Sequence, residues 1–400
     1  MPTLIRTIDL SRPIEAIRAA SAYAAVLLIV RWRARVVGRQ FVPLRDGALD
    51  AADVEAAVRG VVGWDALEAW LHEAVGLDAP VRPGDQPWTS GGAPVEATVA
   101  ICTRDRPDDL RRALDGLATQ VLRASEILVV DNAPSSDATR RLVAGCPGIR
   151  YVHEPRPGLD VARNRALREA SHDLVAFCDD DAVPEPEWLA ALVAGFADPQ
   201  VAAVTGLTLP LELETPAQEQ FEAMGGFWRG VRRRLFDGQH DNPLAVGAVG
   251  AGANMALRRA VVLSLGGFDE RLDAGTPCRS GGDHELFVRL LLDGQRILYE
   301  PAAVSAHRHR RGDAELADTL RGYGTGVYAM WTKLLIEQRQ IGVVRLAWSW
   351  FRAAHLPLLI APLRGRRRTP VETLQLAELR GCVAGPLAWW RSARATRRAA

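Results

Sequence analysis

The feature that most constrains the fold is a short apolar stretch that ends abruptly in three consecutive aspartates. Residues 174–178 read Leu-Val-Ala-Phe-Cys, a run too short for most helices, which favours a buried strand. Asp179, Asp180 and Asp181 follow directly. Because an unpaired buried charge is very costly, these carboxylates must lie at the exposed end of the strand. With no obvious basic partner nearby, they favour a divalent cation such as Mg²⁺ or Mn²⁺, although a solvated acidic turn that caps the next helix is an alternative.

Strands and helices alternate on the N-terminal side of this stretch. The apolar patterns predict strands over 95–101, 126–130 and 149–152, and helices over 107–117, 137–144 and 159–170. Such alternation is typical of a mostly parallel α/β sheet covered by helices, in which ligands bind beyond the carboxyl ends of the strands. At these ends stand Thr103, Asp105, Asp131 and the aspartate triplet. No GxGxxG motif follows the first strand and no P-loop motif is present, which argues against these two nucleotide-binding sites.

The patterns divide the chain into three predicted regions. Of the 400 residues, 48% are hydrophobic, which is enough for a sizeable core, and a net charge of +1 does not by itself favour a polyanionic partner. We expect a small N-terminal α/β module over 1–93, a main α/β domain over 94–330 and a helical, basic C-terminal region over 331–400. Within the first region, the patterns predict a strand over 24–30, helices over 50–59 and 64–75, and a linker over 79–94.

The C-terminal region is basic and rich in tryptophan. From residue 339 onward there are twelve arginines and only two acidic residues. Residues 341–356 are apolar, and 364–368 read Arg-Gly-Arg-Arg-Arg, a pattern that suits either an anionic membrane surface or packing on the main domain. No recognition motif for nucleic acid accompanies it, so we expect no nucleic-acid partner. Because the five cysteines lack a CxxC pair, we expect a cytoplasmic location, with the inner face of the cell membrane as a candidate docking surface.

Several motifs in the main domain, taken together, resemble the family 2 inverting glycosyltransferases with a GT-A fold. Four of them lie before or at the triplet, in 99–107 (VAICTRDRP), 128–132 (LVVDN), 158–164 (GLDVARN) and 178–181 (CDDD). The resemblance continues to about residue 330 through 250–258, 266–270, 281–285, 299–301 and 306–309. It implies a GT-A (nucleotide-diphospho-sugar transferase) fold and transfer of a sugar from a nucleotide-sugar donor to a glycan, lipid-linked or small-molecule acceptor.

The resemblance also implies a role for each motif residue. It places Asp179, Asp181 and His307 on a divalent metal, Mn²⁺ or Mg²⁺. It makes Asp283 the general base that takes the acceptor's proton, with Glu285 as the alternative and with Gly281 and Gly282 allowing close approach to the sugar. The nucleotide would be bound by Thr103, Asp105, Asp131 and Arg163, with Asp180 on the ribose or a metal-bound water, and Asn254 would face the acceptor side.

Plainer interpretations remain open for several of these residues. Arg163 is also typical of an exposed helix arginine, and Asp283 of a helix N-cap. His307 and His309, which stand beside three arginines, also fit a solvated basic loop that faces phosphate. Trp188 is expected in the core, and residues 225–247 are expected to form a loop-rich insert that influences acceptor choice.

Three other functions agree less well with the sequence than sugar transfer does. A nucleotidyltransferase that acts on sugar phosphates needs a glycine-rich first loop, which residues 102–105 lack. An aspartyl-phosphate phosphatase needs its carboxylates after the first strand of the domain, whereas the triplet follows the fourth. A non-catalytic GT-A scaffold is disfavoured because the triplet and Asp283 are both present.

Overall fold

The computed structural model describes residues 2–63, 95–360 and 369–399. The predicted helix over 64–75, the linker and the boundary at residue 93 lie outside these residues, as does the arginine cluster of 364–368. The predicted α/β architecture is confirmed, with a mostly parallel central sheet, a small N-terminal α/β module and a helical C-terminal region.

Within residues 2–63, the N-terminal module consists of a three-stranded sheet packed against one helix, together with a separate pair of two-residue strands. Its central strand is buried on both faces, which explains the continuous apolar run over 24–30. One face, with Val26, Leu28 and Val30, packs against the helix. The other, with Leu27 and Ile29, packs against the main domain. Its elements are β1 (Thr3–Asp9), β2 (Ile17–Arg18), β3 (Ala25–Trp32), β4 (Arg35–Pro43), β5 (Ala48–Leu49) and α1 (Ala51–Val61).

A nine-stranded sheet forms the main domain. Its strands are β6 (Val95–Thr103), β7 (Ala124–Asn132), β8 (Ile149–Glu154), β9 (Leu174–Cys178), β10 (Ala182–Pro184), β11 (Val201–Pro210), β12 (Arg234–Asp237), β13 (Asn254–Arg258) and β14 (Arg296–His307). They lie in the order β10-β14-β11-β13-β9-β6-β7-β8, and β12 pairs with β14. Strands β6, β7, β8, β9, β11 and β14 run in one direction.

Helices cover this sheet and extend beyond it. They are α2 (Pro107–Ala118), α3 (Ala138–Ala144), α4 (Leu159–Glu169), α5 (Trp188–Ala194), α6 (Pro216–Ala223), α7 (Arg259–Ser264), α8 (Gly282–Leu292), α9 (Asp313–Glu337), α10 (Gly342–Trp350), α11 (Leu356–Ile360) and α12 (Pro370–Ala399). A one-turn π-helix, Phe351–His355, joins α10 to α11. Within the described ranges, no helix has the length and apolar character needed to cross a membrane.

The sheet order places the aspartate triplet at a point where the chain reverses direction across the sheet. From β6 the chain adds β7 and β8 on one side, and then returns to add β9 on the other side. Because the loops after β6 and β9 therefore diverge, a crevice opens between the ends of these two strands. The hydroxyl of Thr103, at the end of β6, bridges the crevice and donates to Asp180 at 2.7 Å.

The C-terminal region packs closely on the main domain. Helix α9 continues through residue 330, where the sequence predicted a boundary, and α12 lies against it. Glycines make this contact possible, since a Cβ atom at Gly324 or Gly381 would overlap a backbone carbonyl oxygen of the facing helix. Helix α12 therefore packs on the main domain, whereas the two predicted alternatives concerned residues 341–356 and 364–368.

The only lysine in the sequence ties α8 and α9 together. Lys333 is buried, and its Nζ lies 2.6 Å from Asp269 and 2.5 Å from Glu285. Arg271 pairs with Asp269 at 2.7 Å, and Arg289 with Glu285 at 2.8 Å. The two carboxylates are thus each shared between two cations, which offsets the cost of burying them.

We predict that Lys333→Met lowers the free energy of unfolding by about 3 kcal/mol, the low end for a broken buried pair, because Arg271 and Arg289 remain. Urea denaturation followed by tryptophan fluorescence measures the change. The matched control is Arg141→Met, which removes an exposed pair with Asp137 and should cost less than about 1 kcal/mol. Equal effects of the two substitutions would contradict the structural role of Lys333.

Candidate active site

A cavity of about 1000 Å³ opens at the carboxyl ends of the parallel strands. Three of the ten residues predicted for the site, Asp105, Asp131 and Asn254, are absent from its lining within the described part of the chain. The other seven line it, namely Thr103, Arg163, Asp179, Asp180, Asp181, Asp283 and His307.

Cations from distant parts of the chain surround the triplet. Arg106 Nη1 lies 3.2 Å from Asp180 and 2.9 Å from Asp181, and Arg310 Nη1 lies 3.4 Å from Asp181. The triplet, which has no obvious local basic partner in the sequence, is therefore paired with arginines that are remote in the chain. Burial and the Asp181 carboxylate raise the pKa of Asp180 to about 7. Burial also acts to raise the pKa of Asp181, but His307 and the two arginines outweigh it and hold that pKa below its usual range.

The residues predicted to hold a metal lie together. One ligand atom from each of Asp179, Asp181 and His307 lies within 4.8 Å of the others. His307 is held by its Nε2, 3.0 Å from Asp181, and its buried Nδ1 has no hydrogen-bond partner among the described residues. Two carboxylates and an imidazole suit Mn²⁺, and the carboxylates suit Mg²⁺, so the donor set fits the expected divalent ion.

His309 is engaged elsewhere. It is buried, and its Nε2 lies 2.7 Å from Glu222, which also pairs with Arg39 of the N-terminal module. The rings of His309 and Phe221 pack together at a steep angle, with their centroids 4.7 Å apart. Of the two histidines, only His307 therefore reaches the triplet.

Asp283 lies in the first turn of α8, facing the cavity. The N-cap of the helix is Gly281, with φ of 97°, so Asp283 is not the cap itself. Its Oδ2 accepts a hydrogen bond of 2.7 Å from the backbone N–H of Gly252. Burial acts to raise the pKa of Asp283, but His284, Arg163 and backbone N–H groups lower it below its ordinary value. The carboxylate is therefore held in the ionised form that a general base needs.

The alternative base and the two glycines have structural roles. Glu285 is fully buried and bound by Lys333 and Arg289, so it is not free to accept a proton from a ligand. A Cβ atom at Gly282 would overlap the carboxylate of Asp160, and one at Gly281 would crowd the carbonyl oxygen of Gly326. Within the structure, these glycines allow the start of α8 to pack closely against α4 and α9.

Arg163 is a buried residue and not the exposed helix arginine of the plainer interpretation. Its Nη1 lies 3.1 Å from Asp160 and 2.9 Å from Asp273. Because two carboxylates already bind this guanidinium, it is held in the cavity wall close to Asp283, with Gly252 next to both side chains. The arginines that reach the triplet are instead Arg106 and Arg310.

Two of the predicted nucleotide-binding residues lie beside the cavity. Asp131 is fully buried; its Oδ2 accepts from the hydroxyl of Tyr151 at 2.9 Å, and its Oδ1 has no partner in the described ranges. Asp105 is exposed, with φ of 55°, and accepts from the N–H of Ser135 at 2.8 Å. Asp105 therefore joins the loops after β6 and β7.

Asn254 is a core residue, and its placement on the acceptor side is wrong. It is fully buried, and its amide nitrogen donates to the carbonyl oxygens of Leu207 and Ala303, each at 3.0 Å. Its Oδ1 accepts from the indole N–H of Trp188 at 2.8 Å. Both ends of the amide are thus used in the core, where Trp188 lies as expected.

Sequence reasoning did not single out Arg106, Tyr323 or Arg229, all of which line the cavity. Arg106 was detectable, because it lies three residues beyond the end of β6 and thus at the same edge as the triplet. Arg229 belongs to the predicted insert over 225–247, which does contribute to the lining. It donates to the carbonyl oxygen of Gly247 at 2.9 Å.

Comparisons with known proteins agree with this geometry. The family described as "Glycosyl transferase family 2" matches residues 98–264. The pre-mycofactocin glycosyltransferase of Mycobacterium tuberculosis is 33% identical over 241 residues, which make up 58% of this chain and 47% of that protein. The succinoglycan biosynthesis protein ExoM of Rhizobium meliloti is 28% identical over 218 residues, 51% of this chain and 64% of that protein. The chain thus spans about half the length of its mycobacterial relative.

Among solved structures, the mannosyltransferase PcManGT from Pyrobaculum calidifontis, in complex with GDP-Man and Mn²⁺, has a TM-score of 0.48 and 19% identity. The matched region covers 80% of this chain and 93% of the mannosyltransferase chain. The family match and the sequence relatives agree in what they resemble: residues 98–264, which contribute much of the cavity lining, are similar to glycosyltransferase family 2.

Proposed function

We propose that this protein is a glycosyltransferase that moves a sugar from a nucleotide-diphosphate sugar to an acceptor hydroxyl with inversion, assisted by a divalent metal. One observation carries the proposal. The ionised carboxylate of Asp283 lines the same cavity as the cluster of Asp179, Asp181 and His307. A base and a diphosphate-binding group are the two parts that such a transfer requires.

The residues divide the reaction between them. The acceptor hydroxyl gives its proton to the Asp283 carboxylate while its oxygen forms the new bond to the anomeric carbon. The bond from that carbon to the diphosphate oxygen breaks on the opposite face, and the diphosphate leaves with the electron pair. Arg106 and Arg310 lie where their guanidinium groups stabilise this growing negative charge. Asp179, Asp181 and His307 would hold the divalent ion, which acts as a Lewis acid on the diphosphate.

A nucleotidyltransferase that acts on sugar phosphates is the weaker proposal. Asp283 has no role in an attack by a phosphate, which is already ionised and needs no base. The sequence relatives named above are a glycosyltransferase and a polysaccharide biosynthesis protein, which also favours sugar transfer.

Donor binding tests the proposal directly. In a panel of nucleotide sugars measured by titration calorimetry, we expect at least one to bind with Mn²⁺ and to lose affinity with EDTA. Asp181→Asn should weaken that binding at least tenfold, on the order of the loss known for altered metal sites. Asp115→Asn, an equal charge change at an exposed position on α2, should leave it unchanged. If no nucleotide sugar binds with or without metal, the proposed function is wrong.

The role of Asp283 is tested by separating binding from transfer. Asp283→Asn should keep the affinity for the donor while transfer falls by about 10²–10⁴-fold, the usual contribution of a general base. Asp293→Asn, at the exposed end of the same helix, is the control and should retain full transfer. Transfer at the wild-type rate by Asp283→Asn would show that another group takes the proton.

Cytoplasmic location and a membrane surface as partner stay predictions. The support for the membrane is a group of exposed apolar side chains around α10. Ile341, Val344 and Trp348 are 78%, 56% and 61% exposed, and Arg345 lies among them. Apolar and aromatic side chains next to arginine suit the interface of an anionic bilayer.

Sedimentation with vesicles tests this prediction on the full chain, because deletion of the C-terminal region would remove α12 from its contact with α9. We expect wild-type protein to bind vesicles rich in phosphatidylglycerol, and Val344→Ser/Trp348→Ser to bind at least tenfold more weakly. Leu235→Ser, an exposed leucine on β12, is the control. Unchanged sedimentation of the double variant would exclude this surface as a membrane site.

A further inference from the structure

The cavity continues beyond Asp283 into a second, apolar part, called here the C-terminal chamber. Its walls come from α9, from α10 and from the first turn after α10. None of these elements lies within the family match of 98–264. The chamber is lined by Val327, Met330, Trp331, Leu346, Trp350 and Ala353. One carboxylate, that of Glu378 on α12, also lines the cavity and is paired with His355 beside Trp350.

Helix α9 connects the chamber to the reaction centre. Tyr323 and Asp283 both line the cavity, and Gly326, one turn after Tyr323, packs against Gly281 at the start of α8. Val327, Met330 and Trp331 follow Tyr323 at four, seven and eight residues, the spacing of one helix face. At 1.5 Å per residue, the chamber therefore extends about 12 Å along α9 from Tyr323.

Aromatic rings form the far wall of the chamber. The rings of Trp331 and Trp350 are 5.8 Å apart and nearly perpendicular. Tyr328 packs against both, at 5.1 and 5.9 Å. The π-helix begins directly after Trp350, and such turns are frequent at functional sites. This wall is built for an apolar ligand group.

Neither half of a nucleotide-sugar donor fits this environment. The arginines that suit a diphosphate, Arg106 and Arg310, lie at the triplet. Base, ribose and sugar each carry several hydrogen-bonding groups. Among Trp331, Leu346 and Trp350, the buried indole N–H of Trp331, which has no partner in the described ranges, offers a single hydrogen bond, so most of those groups would be buried unpaired. The chamber therefore belongs to the other substrate.

We propose that the acceptor is an amphiphile whose hydroxyl-bearing head lies at Asp283 and whose apolar tail occupies the C-terminal chamber. This inference rests on the proposed function and names the class of its acceptor. Ser349 and Ala353 are exposed and also line the cavity, so the chamber reaches solvent beside α10. A tail longer than about 12 Å leaves the chamber at this point.

Two alkyl glycosides that differ only in the tail test the proposal. Titration calorimetry below the micellar concentration should show binding of octyl β-glucoside at least tenfold tighter than that of methyl β-glucoside. Leu346→Arg, which places a charge in the chamber, should remove this preference. Ala353→Trp, which fills the chamber from its exposed rim, should do the same and covers the case in which Leu346→Arg does not fold.

The control separates the chamber from the outer surface of α9. Ile336→Ser changes an exposed residue of this helix and should keep the preference for the octyl chain. Equal binding of the two glycosides would overturn the proposal, as would loss of the preference in Ile336→Ser or its retention in both chamber variants. Donor affinity, measured on the same samples, distinguishes the outcomes. Intact donor binding without an octyl preference refutes only the chamber, whereas absent donor binding refutes the proposed function.

Discussion

The balance of charge around the aspartate triplet is the constraint on which the rest of the site depends. Three adjacent carboxylates at the end of one strand repel each other, and two of them are buried. Their partners come from the ends of two other strands, with Arg106 after β6 and His307 and Arg310 at the end of β14. The strands β6, β9 and β14 must therefore end at the same edge of the sheet. The charge balance of the site therefore depends on the order and register of the strands.

Sequence reasoning succeeded where the signal is local. The strands β6, β7 and β9 were predicted from apolar runs that end in polar residues. Asp283 and His307 were singled out by the resemblance of short motifs. The partners of these residues are distant in the chain. Arg106 is 74 residues from Asp180, and Arg310 is 129 residues from Asp181. No periodicity of the sequence reports such a pairing, so the sequence showed only that the triplet has no obvious local basic partner.

The errors and surprises share one physical cause. A polar residue next to a strand can point into the core or toward a ligand, and the sequence does not distinguish the two. Asn254 satisfies its amide entirely with Leu207, Ala303 and Trp188, and Glu285 is neutralised by Lys333 and Arg289. Each became recognisable as structural only when its hydrogen-bond partners were known.

The two ends of the cavity differ in chemistry because different elements of the fold form them. The triplet and Arg106 lie at the edge of the sheet, within the part of the chain that matches the family. The C-terminal chamber is built by α9 and α10, which lie outside that part. Helix α9 is held on both sides, by the glycine contact with α12 and by the Lys333 ion pairs to α8 and the loop before it. A helix fixed in this way presents a rigid apolar face to the cavity, which means that the shape of the chamber is set by the fold before any acceptor binds.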